Sequence, residues 1–167
     1  TETENGFPDI ETANEAILLI TLENYNTKDI VTYGTRPLKV NVGTDYRLHS
    51  SEEKMLQAFL DDWWNNCPDV ITGWNIALFD VPYLVHRIRR VLGDDAAKRL
   101  SPWRNLRRRD ITMNDKTMVA YSIAGVTQLD YLDLYKKFTY NAQESYKLDY
   151  ICKVELGVGK LENPHRS

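Results

Sequence analysis

Apolar positions along this chain fall into several short runs and two helical stripes. Residues 16–23 (AILLITLE) and 29–33 (DIVTY) are compact apolar runs around a polar stretch, the pattern of a β-hairpin. Leu38, Val40 and Val42 alternate with polar positions and predict a third strand or extended segment. Over residues 50–66, Met55, Leu56, Phe59, Leu60 and Trp63 recur at helical spacing. Ser50 and Glu53 fit a reciprocal capping box at the start of that helix, and Pro68 closes it. Residues 69–72 (DVIT) predict a short buried strand, followed by a turn over 73–79. A second helix starts near Asp80, with Val81, Leu84, Val85, Ile88 and Leu92 on its core face. His86, Arg87, Arg89 and Arg90 occupy its other face. Residues 94–100 predict one or two further helical turns. The runs 107–113 and 117–122 flank Asn114-Asp115-Lys116 and predict a second hairpin. Residues 127–129 predict a strand leading into a helix over 130–138, and a last helix spans 145–155 before Gly157 and Gly159. The opening residues 1–15 are polar and carry the turn signal Asn5-Gly6-Phe7-Pro8. Strand pairs followed by helices mixed with strands argue for one α/β domain built on a mixed sheet.

Composition narrows the class without naming a function. A chain of 167 residues with 43% hydrophobic and 27% charged residues is long enough and apolar enough to bury one core, which excludes a disordered tail. No apolar run approaches the roughly 18 residues that a membrane-spanning helix needs. The chain opens on acidic and polar residues with no leader pattern, so a cytoplasmic location is expected. Cys67 and Cys152 lack metal-type spacing and are expected to be buried free thiols.

The net charge of −3 announces no nucleic-acid partner. Its distribution is more telling. Nine Lys or Arg residues lie from Arg87 to Arg109, while the first fifteen residues hold five carboxylates and no Lys or Arg. A local basic stretch can meet phosphates on an acidic protein. For any one of these arginines, Arg87 and Arg107 included, a solvated face is the competing reading.

The chemistry concentrates in residues 69–87, DVITGWNIALFDVPYLVHR. A buried strand runs into Gly73, Trp74 and Asn75, and Phe79-Asp80 opens a helix with Pro82 in its first turn. Asp80 therefore sits at a strand-to-helix junction near a sheet edge, where function gathers in α/β folds. A carboxylate there suits a hard cation such as Mg²⁺ or Mn²⁺. It also suits an N-cap, and spacing alone does not choose between the two. Trp74 and Phe79 have the same ambiguity between cleft lining and core packing.

The segment TGWN-x₃-FD resembles the second exonuclease motif of family B DNA polymerases. Residues 129–138 (LDYLDLYKKF) and 145–160 (SYKLDYICKVELGVGK) resemble two later segments of the same domain, close in wording to the T-even-type bacteriophage branch and its relatives. Residues 5–9 (NGFPD) leading into AILLITL resemble the segment that follows the first motif. The resemblance spans nearly the whole chain and implies a single partial exonuclease domain over residues 1–167. The implied fold is ribonuclease-H-like: a mixed β-sheet flanked by helices, with an edge β-hairpin over 107–122. The implied activity is 3′→5′ proofreading, the two-metal hydrolysis of 3′-terminal nucleotides from single-stranded DNA or a frayed primer end. The implied cofactors are two Mg²⁺ or Mn²⁺ ions, with Asp80 as catalytic and metal-binding carboxylate. Trp74, Asn75, Phe79, Arg87 and Arg107 are the implied DNA-binding residues. The rest of a polymerase chain is the implied partner, without a membrane, and host cytoplasm the implied location if the gene is phage-borne.

Two departures weaken the implied catalysis. The family's Asp-x-Glu motif is expected just before Thr1, so Asp9-Ile10-Glu11 is read as a look-alike in a solvated loop, with a ligand role for Asp9 and Glu11 as the lesser alternative. The family's Tyr-x₃-Asp motif is expected beyond Gly159, and the one match, Tyr25 to Asp29, falls in a hairpin turn. The chain alone is therefore expected to be weakly active or inactive. Two other functions stay open at this point: a non-catalytic DNA-binding or scaffold module, and a small nuclease using Asp9, Glu11 and Asp80. Asp130, Asp133 and Asp149 are read as surface or capping groups.

Overall fold

The computed structural model describes residues 8–38, 45–113 and 116–159. Strands β1 (Leu19–Glu23) and β2 (Ile30–Gly34) pair antiparallel, and β3 (Asp45–Leu48) runs parallel to β2. The β1–β2 turn is fixed locally: the Asn24 side chain accepts the amides of Asn26 and Thr27, and Lys28 takes a positive φ of 64°. Helix α1 (Glu52–Asn65) leads to β4 (Val70–Gly73), and α2 (Asp80–Leu92) to the short α3 (Asp94–Ala97) and a 3₁₀ turn (Lys98–Leu100). Strands β5 (Leu106–Met113) and β6 (Lys116–Ile123) form a hairpin. Strand β7 (Thr127–Asp130) returns parallel to β4, followed by α4 (Tyr131–Phe138) and α5 (Leu148–Leu156).

The core sits between α1, α2 and the inner face of the hairpin. Met55, Leu56, Phe59, Leu60 and Trp63 on α1 are buried with Val81, Val85 and Ile88 of α2 and Val119, Tyr121 and Ile123 of β6. Tyr33 of β2 ties the first sheet to α1: its ring meets Phe59 edge-on and its hydroxyl donates to Asp62 at 2.6 Å. Burial and the neighbouring Asp62 carboxylate push the Tyr33 phenol well above its usual range. Trp63 satisfies its indole N–H on the Leu100 carbonyl at 2.9 Å.

The α/β class, a mixed β-sheet and the flanking helices are as expected. Among the described residues, strand pairing gives three small sheets, ordered β1-β2-β3, β4-β7 and β5-β6. Among the described residues, every strand except β2 has one unpaired edge, and mixed polarity appears only in the first sheet.

Several local expectations shift. The cap of α1 is Ser51 in place of the expected Ser50: its hydroxyl accepts the Lys54 amide, while Glu52 accepts from Arg87. The third strand lies at 45–48: Leu38 is exposed outside it, and Val40 and Val42 fall outside the described residues. Residues 16–18 precede β1 without joining it. Helix α5 starts at Leu148, because the Ser145 hydroxyl is used in a turn with the Lys147 amide. Cys67 and Cys152 are free but only half-buried. No helix of the described residues is long and apolar enough to cross a membrane.

Candidate active site

Two parallel strands end side by side and define the site. In the register of β4 and β7, Gly73 stands opposite Asp130, and α2 and α4 both leave from that end. Gly73 permits the close turn that follows. A Cβ there would lie 2.5 Å from the Ile76 side chain.

The buried Asp130 carboxylate holds this turn in place. Its Oδ1 accepts the Asn75 amide at 2.8 Å, and its Oδ2 accepts the Ala77 amide at 2.9 Å. The same Oδ1 caps α4 by accepting the Leu132 amide at 3.0 Å. One side chain thus fixes the loop leading to Asp80 and the first turn of the neighbouring helix. Asn75 has a positive φ of 62°, a conformation that asparagine tolerates better than most residues. Trp74 donates its indole N–H to the Tyr146 carbonyl at 3.1 Å and lies against Tyr131 and Tyr135. Phe79 stacks on Tyr83, with ring centroids 6.2 Å apart. The Tyr83 hydroxyl donates to the Glu15 carbonyl, and burial followed by the Glu15 charge pushes it up to about 12.

Asp80 is the first residue of α2, while the cap position belongs to Phe79. The capping role that spacing left open is therefore not the one it takes. Its carboxyl reaches solvent, yet it is held above the ordinary carboxylate range. Partial desolvation is the larger cause and the negative charge of Asp130 the smaller, with an opposing contribution from the Asp80 amide.

At neutral pH the ionised Asp80 consequently costs folding free energy. The folded state binds its proton more tightly than the unfolded chain does. The stability tied to that proton is full below the ordinary carboxylate range and is lost as pH rises through the raised value. Asp80→Asn is expected to be more stable than the wild type near neutrality, by less than about 1 kcal/mol since the group is solvent-screened. Below the carboxylate range the two should melt together. Paired thermal melts at the two pH values check this, and a variant that melts lower near neutrality would contradict it.

The remaining candidate residues are dispersed. Asp9 accepts the Thr12 amide at 3.0 Å within a turn, and Glu11 pairs with Arg108 at 3.0 Å. Among the described residues, no group of three His, Cys, Asp or Glu side chains is placed to hold a metal ion. The small-nuclease arrangement of Asp9, Glu11 and Asp80 is therefore not assembled. Tyr25 and Asp29 lie at the β1–β2 turn, with Tyr25 82% exposed. Arg87 is buried rather than on a solvated face: its guanidinium grips Glu52 at 2.6 and 2.8 Å and donates to the Ala13 and Asn14 carbonyls. Four hydrogen bonds inside the fold leave it little to offer a phosphate. Arg107 is exposed on the hairpin. Asp130, read from sequence as a capping group, does cap α4. Its second task, holding a loop 53–55 residues away, has no local sequence signal.

The family resemblance implies divalent metals. Asp80 fits one hard oxygen ligand of such an ion. Both Asp130 oxygens are already taken by amides, so the described residues bring one available carboxylate to this edge and do not by themselves fit a two-ion centre.

Comparison with known proteins bears on the family. The model of "DNA polymerase family B, exonuclease domain" matches residues 4–151. The DNA-directed DNA polymerase of Escherichia phage RB69 is 42% identical over 117 residues, covering 70% of this chain and 13% of that protein. The DNA-directed DNA polymerase of Enterobacteria phage T4 is 39% identical over 116 residues, again 70% of this chain and 13% of the relative. The DNA polymerase delta catalytic subunit of Mesocricetus auratus matches a shorter stretch, 39% identical over 59 residues, which is 35% of this chain and 5% of that protein. The chain thus spans about an eighth of the length of the phage polymerases it matches, and it belongs to the exonuclease domain of family B DNA polymerases.

Proposed function

We propose that this domain edits 3′ ends within a DNA-directed DNA polymerase, and that Asp80 is its catalytic and metal-binding carboxylate. The observation that carries this reading is the placement of Asp80: a solvent-reaching carboxylate with a raised proton affinity, at the end of two parallel strands, on a loop pinned by Asp130. A divalent cation would relieve the repulsion between Asp80 and Asp130, which suits the site to Mg²⁺ or Mn²⁺. Two ions would require carboxylates beyond those the described residues bring together. The substrate is a single-stranded or frayed 3′ end. Trp74, Asn75 and Phe79, on the loop before Asp80, are the residues we assign to its path. Sequence preference should be low, since backbone contacts carry no base information. The partners are DNA and the rest of the polymerase chain, in host cytoplasm if the gene is phage-borne.

The test is a T4-type polymerase carrying this chain in place of its matching segment, assayed with Mn²⁺ on a labelled single-stranded 3′ end. Trimming is expected. Asp80→Ala should lower it by about a hundredfold or more, the scale of several kcal/mol of lost charge stabilisation. Asp9→Ala should leave it unchanged. Trimming by the Asp80→Ala variant at the wild-type rate would end the assignment. A second reading, a DNA-binding module without catalysis, draws support from the single available carboxylate. It predicts salt-dependent binding with no trimming in the same chimera.

A further inference from the structure

Residues 10–15 belong to neither helix nor strand, so their backbone carbonyls need partners from elsewhere. One face of α2 supplies them. Tyr83, His86, Arg87 and Arg90 recur at three- and four-residue spacing on that helix and so lie on one side of it. The Tyr83 hydroxyl donates to the Glu15 carbonyl, and His86 Nδ1 lies 2.6 Å from the Ile10 carbonyl. Arg87 donates to the Ala13 and Asn14 carbonyls, and Arg90 reaches the Thr12 carbonyl at 3.4 Å. All these acceptors are backbone oxygens. The contacts therefore fix where the chain lies, whatever side chains it carries. Asp80 opens the same helix, so they also set the register of residues 10–15 against Asp80.

Of these four residues, His86 is also bonded to the β5–β6 hairpin. Its Nε2 lies 2.8 Å from the hydroxyl of the fully buried Tyr121, and the two rings meet edge-on with centroids 5.3 Å apart. A carbonyl only accepts, so Nδ1 carries the hydrogen and Nε2 accepts from Tyr121. Arg89 donates to the Tyr121 oxygen at 2.6 Å, which leaves the hydroxyl hydrogen for His86. The bonds thus run one way, from Arg89 to Tyr121 to His86 to Ile10, and each strengthens the next. Gln128 of β7 donates to the Tyr121 carbonyl at 2.7 Å, tying this point of the hairpin to the strand that ends at Asp130. A second polar link from the hairpin to this segment, the Glu11–Arg108 pair, is half exposed, and such pairs hold little.

We propose that His86 is a positioning residue: through Tyr121 it carries the placement of the β5–β6 hairpin to residues 10–15, and holds that segment in register with the helix that Asp80 begins. The coupling itself rests on the bonds. Its consequence for trimming rests on the reading of Asp80 as the catalytic carboxylate. In that reading the Asp-x-Glu pair precedes this segment, so the register bears on the rate of trimming and not on affinity for DNA.

The test is a double-mutant cycle on hydrogen exchange, read by mass spectrometry on peptides of the chain that span residues 9–15. The Thr12 and Ala13 amides both bond to Asp9 in this turn and report its opening. Tyr121→Phe, on the hairpin, is expected to speed their exchange by about tenfold, the scale of one lost hydrogen bond. His86→Ala should speed it at least as much, and adding Tyr121→Phe to it should change nothing further. His86→Asn, whose amide N–H can stand in for Nδ1, should recover part of the protection. Circular dichroism melts confirm that each variant is folded. In the polymerase chimera, Tyr121→Phe should lower kcat for trimming by about tenfold and leave KM for the oligonucleotide unchanged. Unchanged exchange in Tyr121→Phe, or additive effects in the double variant, would overturn the coupling. Faster exchange with a wild-type kcat would overturn the positioning role. A wild-type chimera that does not trim would count against the editing reading, and the exchange cycle would still decide the coupling.

Discussion

With alanine in place of Asp130, the Asn75 and Ala77 amides are expected to lose protection from hydrogen exchange, and the domain about 3–5 kcal/mol of stability. Hydrogen bonds to an ionised acceptor contribute about 1.5–3 kcal/mol each, and Asp130 receives three. They share one side chain, so their losses do not add in full. The amides left behind lie in a half-buried loop and regain only part of their hydration. Asp130→Asn is expected to fall between the two. One of its side-chain positions becomes an NH₂ group, which cannot accept, so either the Ala77 amide or the Asn75–Leu132 pair goes unanswered. The functional consequence is larger than the contact distance suggests. Asp80 is left chemically intact, but the loop that positions it is loosened, and a displacement near 1 Å can cost about a hundredfold in rate. In the polymerase chimera, trimming should therefore fall along with amide protection. Unchanged protection at Asn75 and Ala77 in Asp130→Ala would refute the clamp.

Arg87→Ala is expected to destabilise the domain by about 3–5 kcal/mol, because it strands the largely covered Glu52 carboxylate and two backbone carbonyls. In a domain of this size that lowers the melting temperature by about 6–20 °C. The pair does more than neutralise itself. Glu52 Oε1 also accepts the Ile17 amide at 2.7 Å, and Arg87 donates to the Ala13 and Asn14 carbonyls, so the segment before β1 is stitched to both α1 and α2. Ala13 is fully buried with a positive φ of 42°, a strained conformation that these bonds help to hold. Arg87→Lys should recover little, since a lysine cannot form the two-pronged contact with Glu52 while reaching both carbonyls. Below its melting point, Arg87→Ala should keep the wild-type salt dependence of DNA binding. A melting temperature within about 1 °C of wild type would show that the ion pair is idle.

Much of this architecture was legible because it is written in local periodicity. Helices α1 and α2, both hairpins and the strand-to-helix junction at Asp80 follow from the spacing of apolar residues and breakers. What escaped depends on partners far apart in the chain. Arg87 lies on the polar side of α2 by periodicity, and only the fold brings Glu52, 35 residues earlier, against it. That partnership also explains the cap of α1. Ser50 and Ser51 are chemically alike, and the capping-box pattern favours Ser50. The observed helix instead starts at Glu52, which bonds inward. Asp130 was recognisable as a cap from its place before an amphipathic helix. Its hold on Asn75 and Ala77 required the parallel pairing of β4 and β7, which no turn announces. The division into three small sheets was hidden for the same reason: apolar runs predict strands but not which edges meet.

The pairing of β4 with β7 also sets an order of assembly. Thr72 and Leu129, which bond across it, are 57 residues apart, whereas the β5–β6 pairing starts from Met113 and Lys116, close neighbours in the chain. A hairpin forms in about 1–10 μs, while a long-range parallel pair must first pay a loop-closure entropy that grows with the logarithm of its span. Collapse of α2, α3 and the hairpin shortens the effective span before the two strands can meet. The Asp130 clamp thus closes late in folding and opens among the first on the way out. The loop over residues 74–79 that leads into Asp80 can therefore open and re-form while the α1–α2 core stays folded.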